Sequence, residues 1–473
     1  MKREKALFKN TIIIVIGKIC TQLITFFLLP LYTSVLSTGE YGTVDLLNTL
    51  VSLLLPIVTF QVEQAVFRKL IDNRDKERHK KNIISTGIFS VIIQCFIYLC
   101  VFMAISPFVE NEYKYFLATN VIAYIFASLM QQIARGLGDN TKYAIGSVIS
   151  ALTTIIFNIL FLVVFKFGAN GMLMANMLGQ VICTIYYIFA LKLYKYISYK
   201  SFKKKLLKKL WSYSIPLIPN AISWWVFNAS NRVIVSSILG VAKNGIFSAA
   251  YKFSSVYITL YNIFNLSWTE SVALHINDKD AKEFLNNMIN TMLKFFVAMG
   301  VGIIACMPFV YPIMINSNYA EGYNQVPIMM LGSIFNVVVG LISTIYVAKK
   351  NTKAIASTSI VSAIINIVIH LALIKFIGLY AASIATLVSY FVISIYRLHD
   401  IKKRYFEIKI EKKFILFTII ALIPILFAYY SENTIFYVIG LLIAVIYAFI
   451  VNKKNIKAII SMILKKKQGE LNG

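Results

Sequence analysis

Ionisable side chains interrupt long apolar runs at Lys18, Asp45, Glu63, Arg232, Lys252, Glu270 and Lys294. A charge inside such a run is costly, and residues of this kind characteristically face a bundle interior or a water-filled cavity. Lys and Arg can hold an anion there, and the planar Arg fork matches phosphate or carboxylate. The acids can pair with those cations or bind a proton or a sodium ion. Arg68 and Arg135 stand just beyond apolar runs, at the mouth of any such cavity.

The polar residues in these runs, charged and uncharged, keep a helical rhythm. Lys18, Gln22 and Thr25 follow i, i+4, i+7, which is one helix face. Asp45, Asn48, Ser52, Thr59 and Glu63 form a second face, and Ser248, Lys252, Ser255, Thr259 and Asn262 a third. Asn220, Trp224, Asn228, Asn231 and Arg232 gather in a fourth segment. Two uses are open at this point. The residues can glue helices together by hydrogen bonds, with the long cations snorkelling to an interface. Alternatively they line a cationic cavity walled by Lys18, Arg232, Lys252 and Lys294.

No soluble-enzyme chemistry accompanies them. The chain has no Gly-rich phosphate loop ending in GK[ST], no HExxH and no GxSxG. Its four histidines, His79, His275, His370 and His399, are scattered. Its five cysteines lie singly in apolar runs, where they read as small hydrophobes, with neither metal-ligand nor disulfide spacing. The expectation is a protein that is not an enzyme and has no catalytic residues, metal or cofactor.

The elements that must carry these residues are membrane helices. Of 473 residues 59% are hydrophobic and only 14% charged, against about 25% charged in soluble domains. About 20 apolar residues cross a bilayer. Spans are predicted near 10–32, 43–66, 83–107, 114–134, 143–165, 171–191, 211–238, 245–268, 289–314, 325–347, 354–374, 379–396, 414–430 and 435–451, about fourteen in all. The first is read as a retained span rather than a cleaved signal, because it is long and no small-residue cleavage site follows. Pro30, Pro56, Pro216, Pro219, Pro308 and Pro312 lie within spans and mark places where helices can bend.

Loop charge alternates along the chain. Of 47 Lys and Arg, 39 fall at the termini and in the even-numbered gaps, and four in the odd-numbered gaps. The positive-inside rule then places both termini in the cytosol. It also accounts for the net charge of +27 without a nucleic-acid partner. Segments 200–211 and 453–467 carry apolar stripes beside lysines; each reads either as a helix on the anionic leaflet or as a solvated linker.

An internal repeat is legible. Thr33 to Leu36 and Gly42 match Ser236 to Leu239 and Gly245 at a constant spacing of 203 residues. Asn140 to Lys142 match Asn351 to Lys353, and Gly168 and Ala175 match Gly378 and Ala385, at 211 and 210. Such spacings fit six spans per half. Because six is even, the repeat is parallel about an axis along the membrane normal. The expected organisation is an N-terminal lobe, 1–199, a C-terminal lobe, 200–398, and spans 13 and 14 with a basic cytosolic tail, 399–473.

The stretch Ser214-Ile215-Pro216-Leu217-Ile218-Pro219-Asn220 is followed by Ser223-Trp224-Trp225, Asn231-Arg232, Gly240, Asn244-Gly245-Ile246 and Ala249 to Phe253. Together with Asn262 to Phe264, Trp268, Glu270-Ser271 and an N-terminal Leu36-Ser37-x-x-Glu40-Tyr41-Gly42, it resembles the bacterial polysaccharide repeat-unit flippases. These belong to the multidrug/oligosaccharidyl-lipid/polysaccharide exporter superfamily. The resemblance implies an all-α cytoplasmic-membrane protein that moves an undecaprenyl-diphosphate-linked oligosaccharide from the cytosolic to the outer leaflet. It implies alternating access coupled to H⁺ or Na⁺, membrane lipids as surroundings, and a polysaccharide polymerase and glycosyltransferases as partners. On this reading Lys18, Gln22, Trp224, Asn228, Arg232, Lys252 and Asn262 bind substrate, and Asp45, Glu63 and Glu270 couple the ion. Many relatives carry an acid before the Arg of span 7, where this chain has Asn231, so no coupling acid is carried over there. A lipid II flippase and a cation-coupled multidrug exporter of the same superfamily are the alternatives. The excess of Lys and Arg over acids within the spans weighs against the exporter.

Overall fold

The computed structural model describes residues 26–471, with the side chains of all but 224, 227, 228, 352 and 454–471. Lys18 and Gln22 of the first predicted span, and the side chains of Trp224 and Asn228, lie outside the described residues. The fold is all-α, with no strand among the described residues. Its helices are α1 (Leu29–Val35), α2 (Thr38–Thr59), α3 (Val62–Ile71), α4 (Glu77–Ile105), α5 (Lys114–Leu137), α6 (Asn140–Ile159), α7 (Gly168–Ala190) and α8 (Lys204–Ser214). They continue as α9 (Ile218–Leu239), α10 (Val241–His275), α11 (Ala281–Met314), α12 (Val326–Ala348), α13 (Thr352–Ile377), α14 (Tyr380–Arg404), α15 (Lys412–Tyr430) and α16 (Thr434–Leu471).

Eleven helical stretches among the described residues are long and apolar enough to cross a membrane, so the expected count of fourteen is not reached. The first predicted span falls mostly before residue 26. The seventh and eighth are helical, as α9 and α10, but the polar residues recurring in them keep them out of the apolar set. The protein is a multi-pass membrane protein. Its chain divides into two compact units, Met1–Ser248 and Ala249–Gly473, with the boundary inside α10.

In the first unit α2 starts at a capping box. Ser37 Oγ accepts from Glu40 N at 3.2 Å, and Glu40 Oε2 accepts from Ser37 N at 2.9 Å. The other oxygen of Glu40 accepts from Ala169 N, so one carboxylate caps α2 and α7 together. The predicted second span proves to be two helices. Phe60 and Gln61 both turn left-handed and break the chain between α2 and α3. Thr59 makes the break tolerable: its hydroxyl accepts from Gln61 N at 3.1 Å, and its carbonyl accepts from Gln94 Nε2 at 3.1 Å. Glu63 therefore does not extend the polar face of α2. It is buried on α3, next in sequence to Val62 of the core that Val66 and Leu70 build with Ile84, Ile125 and Leu129.

The apolar stripe of segment 200–211 packs on the protein itself. Helix α8 buries Leu210 fully, packs Leu206 and Trp211 on that same core and donates from Trp211 Nε1 to Ser90 Oγ at 3.3 Å, leaving its lysines outside. The repeat is visible in backbone conformation. Helices α6 and α13 begin at side-chain caps, Asp139 on Lys142 N and Asn351 on Ala354 N. Gly168, the first residue of α7, and Gly378, just before α14, share φ +56°.

In the second unit the α14–α15 connection is tied to α11 by asparagines one turn apart. Asn286 donates to Glu407 O and accepts from Lys409 N; Asn290 donates to Lys409 O and accepts from Glu411 N. One turn on, Lys294 Nζ lies 2.7 Å from Glu411 Oε1. The charge of Lys294, open in the sequence between an interface and a cavity wall, is met here by a carboxylate of the connection. Asn290→Ala should strand two backbone groups and lower stability by about 1–3 kcal/mol, read as a drop in thermal midpoint of the purified protein. An unchanged midpoint would show that water replaces the asparagine. Arg397, predicted to be a loop cation, is 2% exposed on α14. Its guanidinium bonds Thr358 Oγ1, Ser359 Oγ, Ser343 Oγ and Ile355 O, pinning α14 to α12 and α13.

Candidate functional site

The repeat meets itself where α10 begins. A Cβ on Gly42 would lie 1.9 Å from Val241 O, and a Cβ on Gly245 would lie 2.0 Å from Thr38 O. Thr38 and Val241 are separated by the same 203 residues as the two glycines, so the contact is reciprocal. Two backbones come this close only where neither carries a side chain.

One turn deeper sits Asp45. Its Oδ2 accepts from Ser248 Oγ at 2.6 Å, lies 3.0 Å from Arg232 Nε and 3.4 Å from Asn244 Nδ2. Ser248 is the repeat equivalent of Asp45, so the two matched positions bond each other. Asn244 Nδ2 also donates to Gly42 O at 3.1 Å, joining the carboxylate to the glycine contact. Asn244 and Ser248 are buried, and the Asp45 and Arg232 side chains are only 15% and 21% exposed. Salt and water therefore screen this ion pair less than a surface pair. Just inward, Trp225 Nε1 donates to Thr49 O at 2.8 Å, fastening α9 to α2.

Of the predicted site residues the fold brings Asp45 and Arg232 together. Each answers the other's charge, which settles for this pair the choice between free cavity charges and mutual pairing. Glu63 is 3% exposed, with Oε2 buried and without a hydrogen-bond partner. It stands on α3, beyond the break that ends α2. Lys252, Asn262 and Glu270 lie on the part of α10 in the second unit, Lys252 half-buried and the other two exposed. Sequence reading passed over Asn244 and Trp225 as site residues. The signal for Asn244 was its place beside Gly245; Trp225 stood next to the tryptophan that was chosen.

Through the one carboxylate of Asp45 the arrangement ties α2 to α9 and to the start of α10.

The model of a family described as "Polysaccharide biosynthesis protein" matches residues 7–269. The chain belongs to this family. The matched stretch runs from before the described residues to Thr269, and so includes Gly42, Asp45, Trp225, Arg232, Asn244, Gly245 and Ser248. No curated protein matches the chain in sequence. Among solved structures, this polysaccharide biosynthesis protein is similar to the lipid II flippase MurJ in an inward closed conformation. The TM-score is 0.70 at 17% identity, covering 97% of this chain and 99% of that one. It is also similar to an inward-facing multidrug resistance MATE family transporter of the MOP superfamily, at TM-score 0.60 and 12% identity, covering 81% and 96%. A MATE structure in complex with MaD3S gives 0.56 at 15% identity, covering 85% and 95%. These likenesses establish a shared fold.

Proposed function

We propose that this protein translocates a prenyl-diphosphate-linked oligosaccharide, the repeat unit of a surface polysaccharide, from the cytosolic to the outer leaflet. The observation that carries the reading is the match to the polysaccharide biosynthesis family across the Asp45–Arg232 site. The full-length likeness to a lipid II flippase supports a lipid-linked cargo. The proposal takes both termini as cytosolic, the membrane as the bacterial inner membrane, and the two lobes as 1–199 and 200–398 with 399–473 appended. No covalent step is assigned to the protein.

The chemistry divides between cations and acids. Lys18, Arg232 and Lys252 receive the diphosphate, and Gln22, Trp224, Asn228 and Asn262 the sugars, while the prenyl chain stays in lipid. Asp45 acts through Arg232: protonation or sodium binding at the carboxylate frees the guanidinium for the anionic cargo. Glu63 is the second coupling candidate, because a buried carboxyl oxygen without a donor is a place for a proton. Glu270 is exposed and is the weakest of the three acids.

Mass spectrometry of prenyl-diphosphate-linked oligosaccharides in cells depleted of the protein tests the reading. Accumulation of a complete repeat unit with loss of surface polymer is the expected result. Accumulation of lipid II instead would favour the lipid II flippase, and sensitivity to cationic drugs without either lipid would favour the exporter. In the same assay Lys18→Ala and Lys252→Ala should each cut transport about tenfold at unchanged protein level, equivalent to losing one charge-assisted contact. Full transport in both would remove the cationic cavity.

A further inference from the structure

A second cationic site lies in the first unit, away from Asp45, on the lysine-rich side of the chain. The end of α3, the start of α4 and the start of α8 enclose a cavity of about 540 Å³. Lys69, Lys203, Lys204, Lys205 and Lys209 line it with His79, Asn73 and Asn82, and no acid is among its lining residues. Its floor is apolar, made by Ile83, Phe202 and Leu206, with the Phe89 ring edge-on to Phe202. Lys203, the N-cap residue of α8, offers no side-chain cap, so the leading N–H groups of the helix add to the positive field. The Lys203 amide bonds Thr86 Oγ1 and fixes the lysine run against α4.

Five ammonium groups around a hollow repel one another, and the arrangement is stable only with an anion or solvent among them. Lysines act as point charges toward phosphate. The apolar lining and the exposed Tyr199, whose ring meets Phe89 as Phe202 does, are the equipment of a segment at the headgroup level of a bilayer. We infer that this cavity binds the phosphate of a membrane lipid, with phosphate oxygens among Lys69, Lys203 and Lys205 and the start of an acyl or prenyl chain over Phe202 and Leu206. The inference rests on the cavity and not on the cargo proposed above. The phosphate has two sources, a bilayer phospholipid or a prenyl diphosphate.

Native mass spectrometry of the full chain in neutral detergent tests it. Phosphatidylglycerol should be retained and phosphatidylcholine of the same chains should not. Lys69→Gln with Lys205→Gln removes one charge from each side of the cavity and should weaken phosphatidylglycerol binding about thirtyfold, at about 1 kcal/mol per lysine. Lys192→Gln with Lys195→Gln, outside the cavity, should leave binding unchanged. An unaltered thermal midpoint shows that the cavity variant is folded. Displacement of phosphatidylglycerol by undecaprenyl diphosphate at tenfold lower concentration assigns the site to a prenyl diphosphate; failure to displace assigns it to phospholipid. Equal retention of the two phospholipids, or full binding by the cavity variant, would overturn the inference, and neither result bears on whether oligosaccharide is flipped.

Discussion

Alanine at Gly42 or at Gly245 is expected to reduce transport at least tenfold. The added Cβ would lie 1.9 Å from Val241 O in one case and 2.0 Å from Thr38 O in the other, where contact needs roughly 3.5 Å. Both obstacles are backbone, so no rotamer change relieves the clash; the two helices must part. Overpacking of this kind costs about 1–3 kcal/mol even where side chains can adjust. Parting the helices also draws Asn244 and Ser248 away from Asp45, because one turn joins the glycine contact to the carboxylate. A lowered thermal midpoint should therefore accompany the loss of transport. Wild-type transport and midpoint in both variants would show that the close approach is dispensable.

The second large effect belongs to Asp45. Asp45→Asn keeps the shape and removes the charge, leaving the Arg232 guanidinium in a shielded place without its counter-charge. Breaking a fully buried pair costs about 3–5 kcal/mol. Partial exposure of both side chains reduces the expected loss here to about 2 kcal/mol. Removing the partner as well, with Arg232→Leu, should recover much of that stability, since no uncompensated charge remains. Transport should not recover, because the double variant lacks both the acid proposed to couple the ion and the cation proposed to bind the anion. The cycle of wild type, two single variants and the double variant should give a coupling of about 1–3 kcal/mol. Additivity within about 0.5 kcal/mol would mean the pair does not act as one.

Much of this was legible in the sequence because lipid simplifies the reading. A helix that crosses a membrane must be apolar along its length, so the spans from α4 to α7 and from α11 to α16 declare themselves by hydropathy. The polar faces on α2 and α10, and the spacing of 203 residues between Gly42 and Gly245, also stood in the sequence; the spacing fell on a reciprocal contact. What stayed hidden was decided by partners far along the chain. The break at Phe60 and Gln61 carries no Gly or Asn, and it is made tolerable by Gln94, which no local pattern links to Thr59. Lys294 reads as a cation at a span end until Glu411 reaches it. Arg397 belongs by spacing to a basic loop, yet α14 runs on past it and hydroxyls of α12 and α13 surround the guanidinium. Pairing of Asp45 with Arg232 was one of two outcomes the sequence allowed, and only the position of α9 against α2 decides between them.

The most direct test of the central claim is translocation in proteoliposomes holding the purified full-length protein and the lipid-linked oligosaccharide that accumulates on its depletion. Exposure of the sugar at the opposite leaflet is read with a membrane-impermeant reagent. Protein-dependent exposure, lost in Asp45→Asn and Gly245→Ala, is the result predicted. Equal exposure in protein-free and protein-containing vesicles would contradict the assignment of this chain as the flippase.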